Sequence, residues 1–486
     1  MPAGRHPLLL LLLLLNASNA LKPVLNGHPL TLSRLSGLAS QDKPTLVASS
    51  EQPATPLAGR LLASGYTGLM EFTFAAACAA VIFGPVGLPL SIGIIHVLFG
   101  FVIMQTVVSR TTGVSSGVAL AVPSFEVLPF LAKFALIVSR TVGKANPQSA
   151  LATILVGSIL VNVLSSVLLT VASMLPVDNI STLLPPPLQA GLFAAIGWSL
   201  YLLSFDTLGL GFAASSLFTW HSARLWLPAN LLGLGLWHTT RKSDSPLIFP
   251  IFILGTSALV HGARLVTGTS VSASRSAGWL MAEAVGEPCS ALWRALSPSL
   301  VRWDVLMSAE ALKQLVSAAL FGPLVNTVLN FVLFGPMIKE KLDLKRELRS
   351  HAAGSAAAAL GGGYPSYLAL ADTAVHRKIG GVDRLSCYAA ASVGALFLVA
   401  YPLCIVVGYV PTLVIAAICV YIGVDFLYDN LIEATRTNGM RAGLAAMAVL
   451  AVCVQQDMLV GSLLGIAAAQ AFGWWQRRNM QQNSAS

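Results

Sequence analysis

The chain has 486 residues, 55% of them apolar and only 10% charged. An ordinary soluble domain carries about 25% charged residues, so a soluble protein of this make-up would lack the side chains to cover its surface. In lipid the acyl chains replace water and the shortage vanishes. The formal net charge of +9 is spread in short clusters between apolar runs, at Arg241–Lys242, Lys339 to Arg349, His376 to Lys378 and Arg477–Arg478. That is the pattern of cytoplasm-facing loops. Nucleic acid needs a dense basic face with aromatic partners and is excluded as a partner.

Residues 1–60 stand apart. Eight leucines at 8–15 follow Arg5 and precede Asn16-Ala17-Ser18-Asn19-Ala20, the layout of a secretory-type signal. The run is shorter than the roughly 20 residues of a span. Residues 21–60 are rich in Ser, Leu and Pro and read as a transit-like extension or a plain disordered tail, so 1–60 is set outside the fold. The signal-like start points to the secretory pathway or an organelle membrane.

From 61 to 474 one apolar segment follows another. Spans are expected near 64–83, 88–108, 117–139, 150–175, 188–213, 223–238, 247–266, 303–335, 350–363, 366–377, 385–407, 409–428, 442–455 and 457–473, with a short tail at 475–486. This predicts an all-α polytopic membrane protein, because unpaired backbone groups are not tolerated in lipid and the alternating polarity of barrel strands is missing. The six cysteines form no C-x-x-C and read as small buried thiols.

Two places break the helical pattern in related ways. Thr111 to Phe125 reads TTGVSSGVALAVPSF, and Gly361 to Thr373 reads GGGYPSYLALADT. Each has Gly, Ser and Pro and then an apolar helix too short to cross alone. Such interrupted segments in corresponding places of two halves are the best sequence pointer to a transporter binding site. A half-helix beginning at mid-membrane aims free N–H groups and partial positive charge into the bilayer centre, and two such ends facing each other favour an anion. Ordinary kinked helices are the alternative.

Gly408 to Glu433 reads GYVPTLVIAAICVYIGVDFLYDNLIE, Leu342 to Gly381 carries LDLKRELRSHAAGSAAAALGGGYPSYLALADTAVHRKIGG, and Pro187 to Trp198 reads PLQAGLFAAIGW. These stretches resemble the SulP (sulfate permease) family, over about residues 60–473, and the first half is closer to divergent fungal and algal members. The resemblance implies fourteen segments in two inverted seven-segment repeats, forming core and gate domains, with an anion site between the third and tenth segments. It implies alternating-access transport of a small inorganic anion of the sulfate, chloride or bicarbonate class. Most members end in a STAS domain. Only some dozen residues follow the last span here, so a member lacking that domain is expected; a homodimer remains an expected partner state, without contacts made through that domain.

The resemblance implies substrate contacts at Ser116, Gly117, Val118 and Ala119 on the third segment and at Tyr367, Leu370, Ala371 and Asp372 on the tenth. Many members have Ser-Arg where this chain has Ala371-Asp372, and an acid there removes positive potential. A charged Asp at mid-membrane costs about 2.5–3.5 kcal/mol on insertion scales, so it needs a reason: carriage of a proton, coordination of a cation such as sodium, or a salt bridge with Lys313. Glu71 in the first span and Glu310 in the eighth segment are the other coupling candidates, although Glu310 is spaced to pair with Lys313. Val325 stands where many members have Glu, which leaves Asn326 as a weaker polar candidate. Glu126, Asp206 and His261 read as interfacial residues near span ends. No hydrolase, Walker or metal-ligand motif is present, so neither enzyme activity nor a metal or other cofactor is expected. A channel-like protein and a non-transporting membrane scaffold remain the alternatives.

Overall fold

The computed structural model describes residues 57–143, 146–175, 186–212, 217–243, 245–328, 330, 343–465 and 467. The leader-like segment 1–56, much of the Lys339–Arg349 run, the last expected span beyond 465 and the Arg477–Arg478 tail lie outside the described residues in whole or in part.

In chain order the helices are α1 (Leu57–Phe83), α2 (Leu90–Thr111), α3 (Leu128–Val142), α4 (Pro147–Met174), α5 (Pro186–Thr207), α6 (Trp220–Lys242), α7 (Ile248–Val266), α8 (Val271–Ser276), α9 (Ser290–Ala295), α10 (Trp303–Leu306), α11 (Ala309–Ala319), α12 (Leu344–Gly361), α13 (Leu370–Ile379), α14 (Arg384–Val399), α15 (Thr412–Leu427), α16 (Ala434–Asn438) and α17 (Met440–Gln455). Two three-residue strands, β1 (Ala121–Pro123) and β2 (Ser366–Leu368), interrupt them. Among the described residues seven helical stretches are long and apolar enough to cross a membrane, and α13 with α14 adds a pair bent by 106°. Helix α7 leaves Ile251, Leu254 and Leu259 65–72% exposed, an apolar face suited to lipid. The protein is therefore an integral, multi-pass, all-α membrane protein.

Proline explains where the expected spans break. The stretch expected at 117–139 divides into β1, ending at Pro123, and α3, which carries Pro129 in its first turn. The stretch at 366–377 divides the same way after Pro365. The long span expected at 303–335 is found as α10 followed by a continuous helical stretch, Ala309–Val328, long and apolar enough to cross; α11 widens there into a π-turn at Leu320–Leu324 around Pro323, since proline supplies no N–H to the helix ladder. The expected 385–407 span ends at Val399, and a 3₁₀ turn carrying Pro402 follows over Tyr401–Tyr409.

The chain forms two compact units. In one, drawn from Leu184–Phe252 and Ala416–Ser486, α5 packs on α17. Here the GVDFLYDN stretch acquires its physical meaning. A Cβ on Gly423 would lie 2.7 Å from the Gly197 carbonyl oxygen, so the two helices cross at backbone distance. Two residues on, Asp425 accepts from Trp237 Nε1 (3.1 Å) and Arg241 Nη2 (2.9 Å), and Asp429 accepts from the same guanidinium. The guanidinium also lies over the Tyr428 ring, 4.4 Å from its centroid.

The other unit, drawn from Asp42–Leu183 and Ile253–Ile415, holds the interrupted segments. Its helices α1, α2, α4, α12 and α14 pack on one another. Within it β1 and β2 pair antiparallel, Ala121 opposite Leu368, Val122 opposite Tyr367 and Pro123 opposite Ser366. Each strand runs on into a short helix, α3 or α13. The two strand–helix arms point opposite ways, as the inverted-repeat architecture requires.

Candidate functional site

The crossing of the two arms is where irregular backbone lies deep inside an apolar protein, and many of its backbone polar groups are handed to neighbours. Gln105, fully buried on α2, donates to the Ala119 carbonyl (2.9 Å) and accepts from Ala121 N (2.8 Å). Asn330 donates to the Leu368 carbonyl and Asn162 to that of Gly363. Ser124 N donates to the Pro365 carbonyl, and Ala369 N to that of Leu120. Thr373 Oγ1 accepts from Leu120 N and donates to the Ala369 carbonyl. Buried peptide groups must be satisfied in this way, and the two arms are thereby locked to one another.

Close approach of α2 makes the lock possible. A Cβ on Gly100 would stand 2.4 Å from the Tyr364 carbonyl oxygen, and one on Gly363 would stand 2.5 Å from Gly100 Cα. Tyr364, fully buried, donates its hydroxyl to the Ser124 carbonyl (2.9 Å) and its N–H to that of His96 (3.1 Å).

Both short helices begin without side-chain caps, at Val127 for α3 and Ala369 for α13. By contrast α6, α11, α12 and α14 are capped by Thr219, Ser308, Asp343 and Asp383. At α3 the first-turn donors are already used, because Leu128 N–H is bonded to the Phe125 carbonyl, Pro129 has none and Phe130 N–H is bonded to the Val127 carbonyl; what both uncapped starts direct at the crossing is the positive end of the helix dipole.

Acidic side chains gather at these ends. Glu126 is buried just before α3; its carboxylate accepts from Ser124 Oγ (3.0 Å) and from the Tyr367 hydroxyl. Asp372 is half-buried in the first turn of α13. Glu71, in the middle of α1 and 1% exposed, has a buried Oε2 with no hydrogen-bond partner among the described residues. Asp372 acts electrostatically on Glu71, Glu126, Tyr367 and the Tyr66 hydroxyl. Ala371 is exposed and Tyr367 half-buried, which leaves the mouth of α13 open.

The sequence candidates fall out as follows. Tyr367, Asp372 and Glu71 come together, and Leu370 and Ala371 open the helix beside them. Ser116, Gly117, Val118 and Ala119 do not form the start of the third-segment helix, which begins at Leu128; they precede β1 in the loop and strand approach. Val118 packs with Leu120, Val122, Ala369 and Cys387, whereas Ala119 packs with Met104, Val108 and Leu368. Gly117 takes φ +74°, a left-handed conformation open to glycine, and the Arg384 side chain lies against it. Ser116 Oγ accepts from Arg377. Glu310 lies exposed in the first turn of α11, where the helix dipole favours an acid. Asn326 is turned onto the Phe321 carbonyl, repairing the π-turn.

Glu126 overturns its interfacial reading: it is 3% exposed and central. The signal for it was internal repetition. Pro123-Ser124-Phe125 and Pro365-Ser366-Tyr367 are the same Pro-Ser-aromatic step, followed in one arm by Glu126 and in the other by Asp372. Glu347, from the RELR stretch, proves to be an anchor. Fully buried, it accepts from Thr112 Oγ1 and Gly113 N, both at 2.6 Å, and ties the loop before β1 to α12.

Paired strand-to-half-helix arms inside an all-α membrane protein define the class of inverted-repeat carriers. The sulfate permease family model matches residues 85–448, and the chain belongs to that family. No curated protein sequence matches it. Among solved structures it is similar to the transmembrane domain of a cyanobacterium bicarbonate transporter, BicA, with 17% identity and a TM-score of 0.55 over 85% of this chain and 97% of that one. It is also similar to SLC26A9, with 12% identity and a TM-score of 0.57 over 86% of this chain and 66% of that one. The murine Slc26a9 anion transporter in its inward-facing state gives 11% identity and a TM-score of 0.57, over 93% and 76% of the two chains. At such identities the likeness is one of fold.

Proposed function

We propose that the protein is a proton-coupled secondary transporter of a small inorganic anion, working by alternating access, with the anion bound at the open N-termini of α3 and α13. The observation that carries this reading is the gathering of Glu71, Glu126, Tyr367 and Asp372 at two uncapped helix starts. Helix N-termini invite an anion, yet carboxylates already sit there and repel one. Both demands are met if the acids take up protons as the anion enters. Protonated Asp372 and Glu126 are neutral and no longer repel an anion at the two helix starts. Glu71, with its unpartnered oxygen facing Asp372 electrostatically, is the relay between them and the rest of α1. Sulfate, chloride and bicarbonate are the candidate anions, the last being what the similar cyanobacterial protein's description names.

The test is uptake of labelled sulfate, chloride and bicarbonate into liposomes holding the purified chain, with and without an inward proton gradient. Saturable uptake that the gradient drives is the expected result. Unsaturated current in its place is the channel-like result, and no flux of any of the three ends the transport reading. The same carboxylates favour a second reading if they stay ionised: a cation, sodium above all, would then replace the proton, and a sodium gradient would drive uptake when a proton gradient does not.

A further inference from the structure

A cavity of about 540 Å³ lies away from the crossing, where α2 ends and α12 and α14 begin. It is lined by Arg110, Arg346, Arg349 and Arg384, with Thr111 and Ser350 among its other wall residues. Thr111 Oγ1 and Ser350 Oγ share a 2.6 Å hydrogen bond that fixes the wall. Arg346 is oriented by donating Nε to the Thr111 carbonyl (3.1 Å). The carboxylates nearest in sequence are spent elsewhere: Asp343 accepts from the Arg346 backbone N–H, and Glu347 is buried against Thr112 and Gly113. Among the described residues none of the four guanidinium groups is in an ion pair.

Four like charges around one concavity repel one another, and a surface serving only to mark the cytoplasmic face would let them spread. Guanidinium forks match phosphate oxygens two at a time. The cavity is at the ends of three helices that emerge on the same side of the unit, and basic pockets between spans on that side bind phosphorylated headgroups. We propose that this cavity is a binding site for a multiply charged phosphate ester, a phosphorylated lipid headgroup or a free polyphosphate of the same chemistry. Arg384 is common to the cavity and to the contact on Gly117, so an occupant that draws Arg384 away loosens the loop leading into β1. Occupancy thus regulates the crossing without being part of it.

The test uses the full chain in phosphatidylcholine nanodiscs. In one arm a photoactivatable phosphatidylinositol bisphosphate is added; in the other, labelled soluble inositol trisphosphate. Arg110→Gln with Arg349→Gln is compared with Arg441→Gln, an exposed arginine at the start of α17. The double variant is expected to lose about thirtyfold in labelling, while the control keeps it. Loss in the lipid arm alone identifies a headgroup, and loss in the soluble arm alone identifies a free phosphate ester; either supports the site. Arg110→Lys with Arg349→Lys keeps the charge but loses the bidentate fork, so it should bind more tightly than the Gln pair and less tightly than the parent, a graded result that separates the site from folding should the Gln pair unfold. Equal labelling of the double variant and the control in both arms overturns the proposal.

Discussion

Gly100→Ala is the sharpest probe of the crossing. The new Cβ would meet Tyr364 O at 2.4 Å, Tyr364 N at 2.5 Å and the carbonyl carbon at 3.1 Å, whereas ordinary contact begins at 3.4 Å. The obstacles are backbone atoms, so no rotamer relieves them, and α2 and the Tyr364 segment must part by about 1 Å. That stretches the Tyr364 N–H bond to His96, now 3.1 Å, beyond useful length. Overpacking of this kind costs about 1–3 kcal/mol, and the lost hydrogen bond costs about 1 more. Replacing a mid-helix glycine returns roughly 0.5–1 kcal/mol. The net is a destabilisation of about 1–3.5 kcal/mol by these terms. Gly65→Ala on α1 is the control, since nothing lies within 4 Å of its Cβ position; it should be neutral or stabilising by roughly 0.5–1 kcal/mol. Thermal unfolding of both variants in the same detergent reads the difference, and labelled-anion uptake shows whether the crossing still binds. If Gly100→Ala melts with Gly65→Ala, the close approach of α2 to the β2 arm is not what fixes the site.

Asp372→Asn and Glu71→Gln should each flatten the pH dependence of uptake between acid and neutral buffer while leaving some downhill exchange, and an unchanged pH profile removes the residue from coupling. Tyr367→Phe takes a donor from buried Glu126, so substrate affinity should shift by several-fold with little loss of stability, about 1 kcal/mol; unchanged uptake kinetics argue against a place in the site. Glu347→Ala leaves Thr112 and the Gly113 N–H without their acceptor and should lower stability by about 2–4 kcal/mol, visible as an earlier melt. Arg241→Gln leaves Asp425 and Asp429 facing each other and should destabilise its unit by about 1–3 kcal/mol, with Arg241→Lys restoring only part because the guanidinium also covers the Tyr428 ring; equal melting of all three forms would make that cluster ornamental.

Composition alone settled that the chain lives in lipid, because a 10% charged sequence has no other solvent available to it. The two Gly- and Pro-interrupted stretches were readable as well: proline withdraws an N–H from the ladder wherever it stands, so the breaks at Pro123 and Pro365 follow from local chemistry. Among the described residues the apolar pattern placed the remaining spans with ends up to seven residues off, as at Leu57 and Leu344, and Pro323 and Pro402 turned helix into π-turn and 3₁₀ turn. What local chemistry does not contain is pairing. Ser116 to Ala119 were placed at a helix start, yet the strand pairing of Ala121 with Leu368, 247 positions along the chain, moves the helix start to Leu128 and brings Glu126 inward. Glu126 looks like any carboxylate at a span end until Tyr367, from the opposite repeat, donates to it. Glu347 looks like half of a surface charge run until the loop at Thr112 folds onto it. Solvent preference is a property of each residue and its near neighbours, and a sequence displays it directly. A site made by two arms crossing depends on which distant backbones come within hydrogen-bonding reach, and only the folded chain decides that.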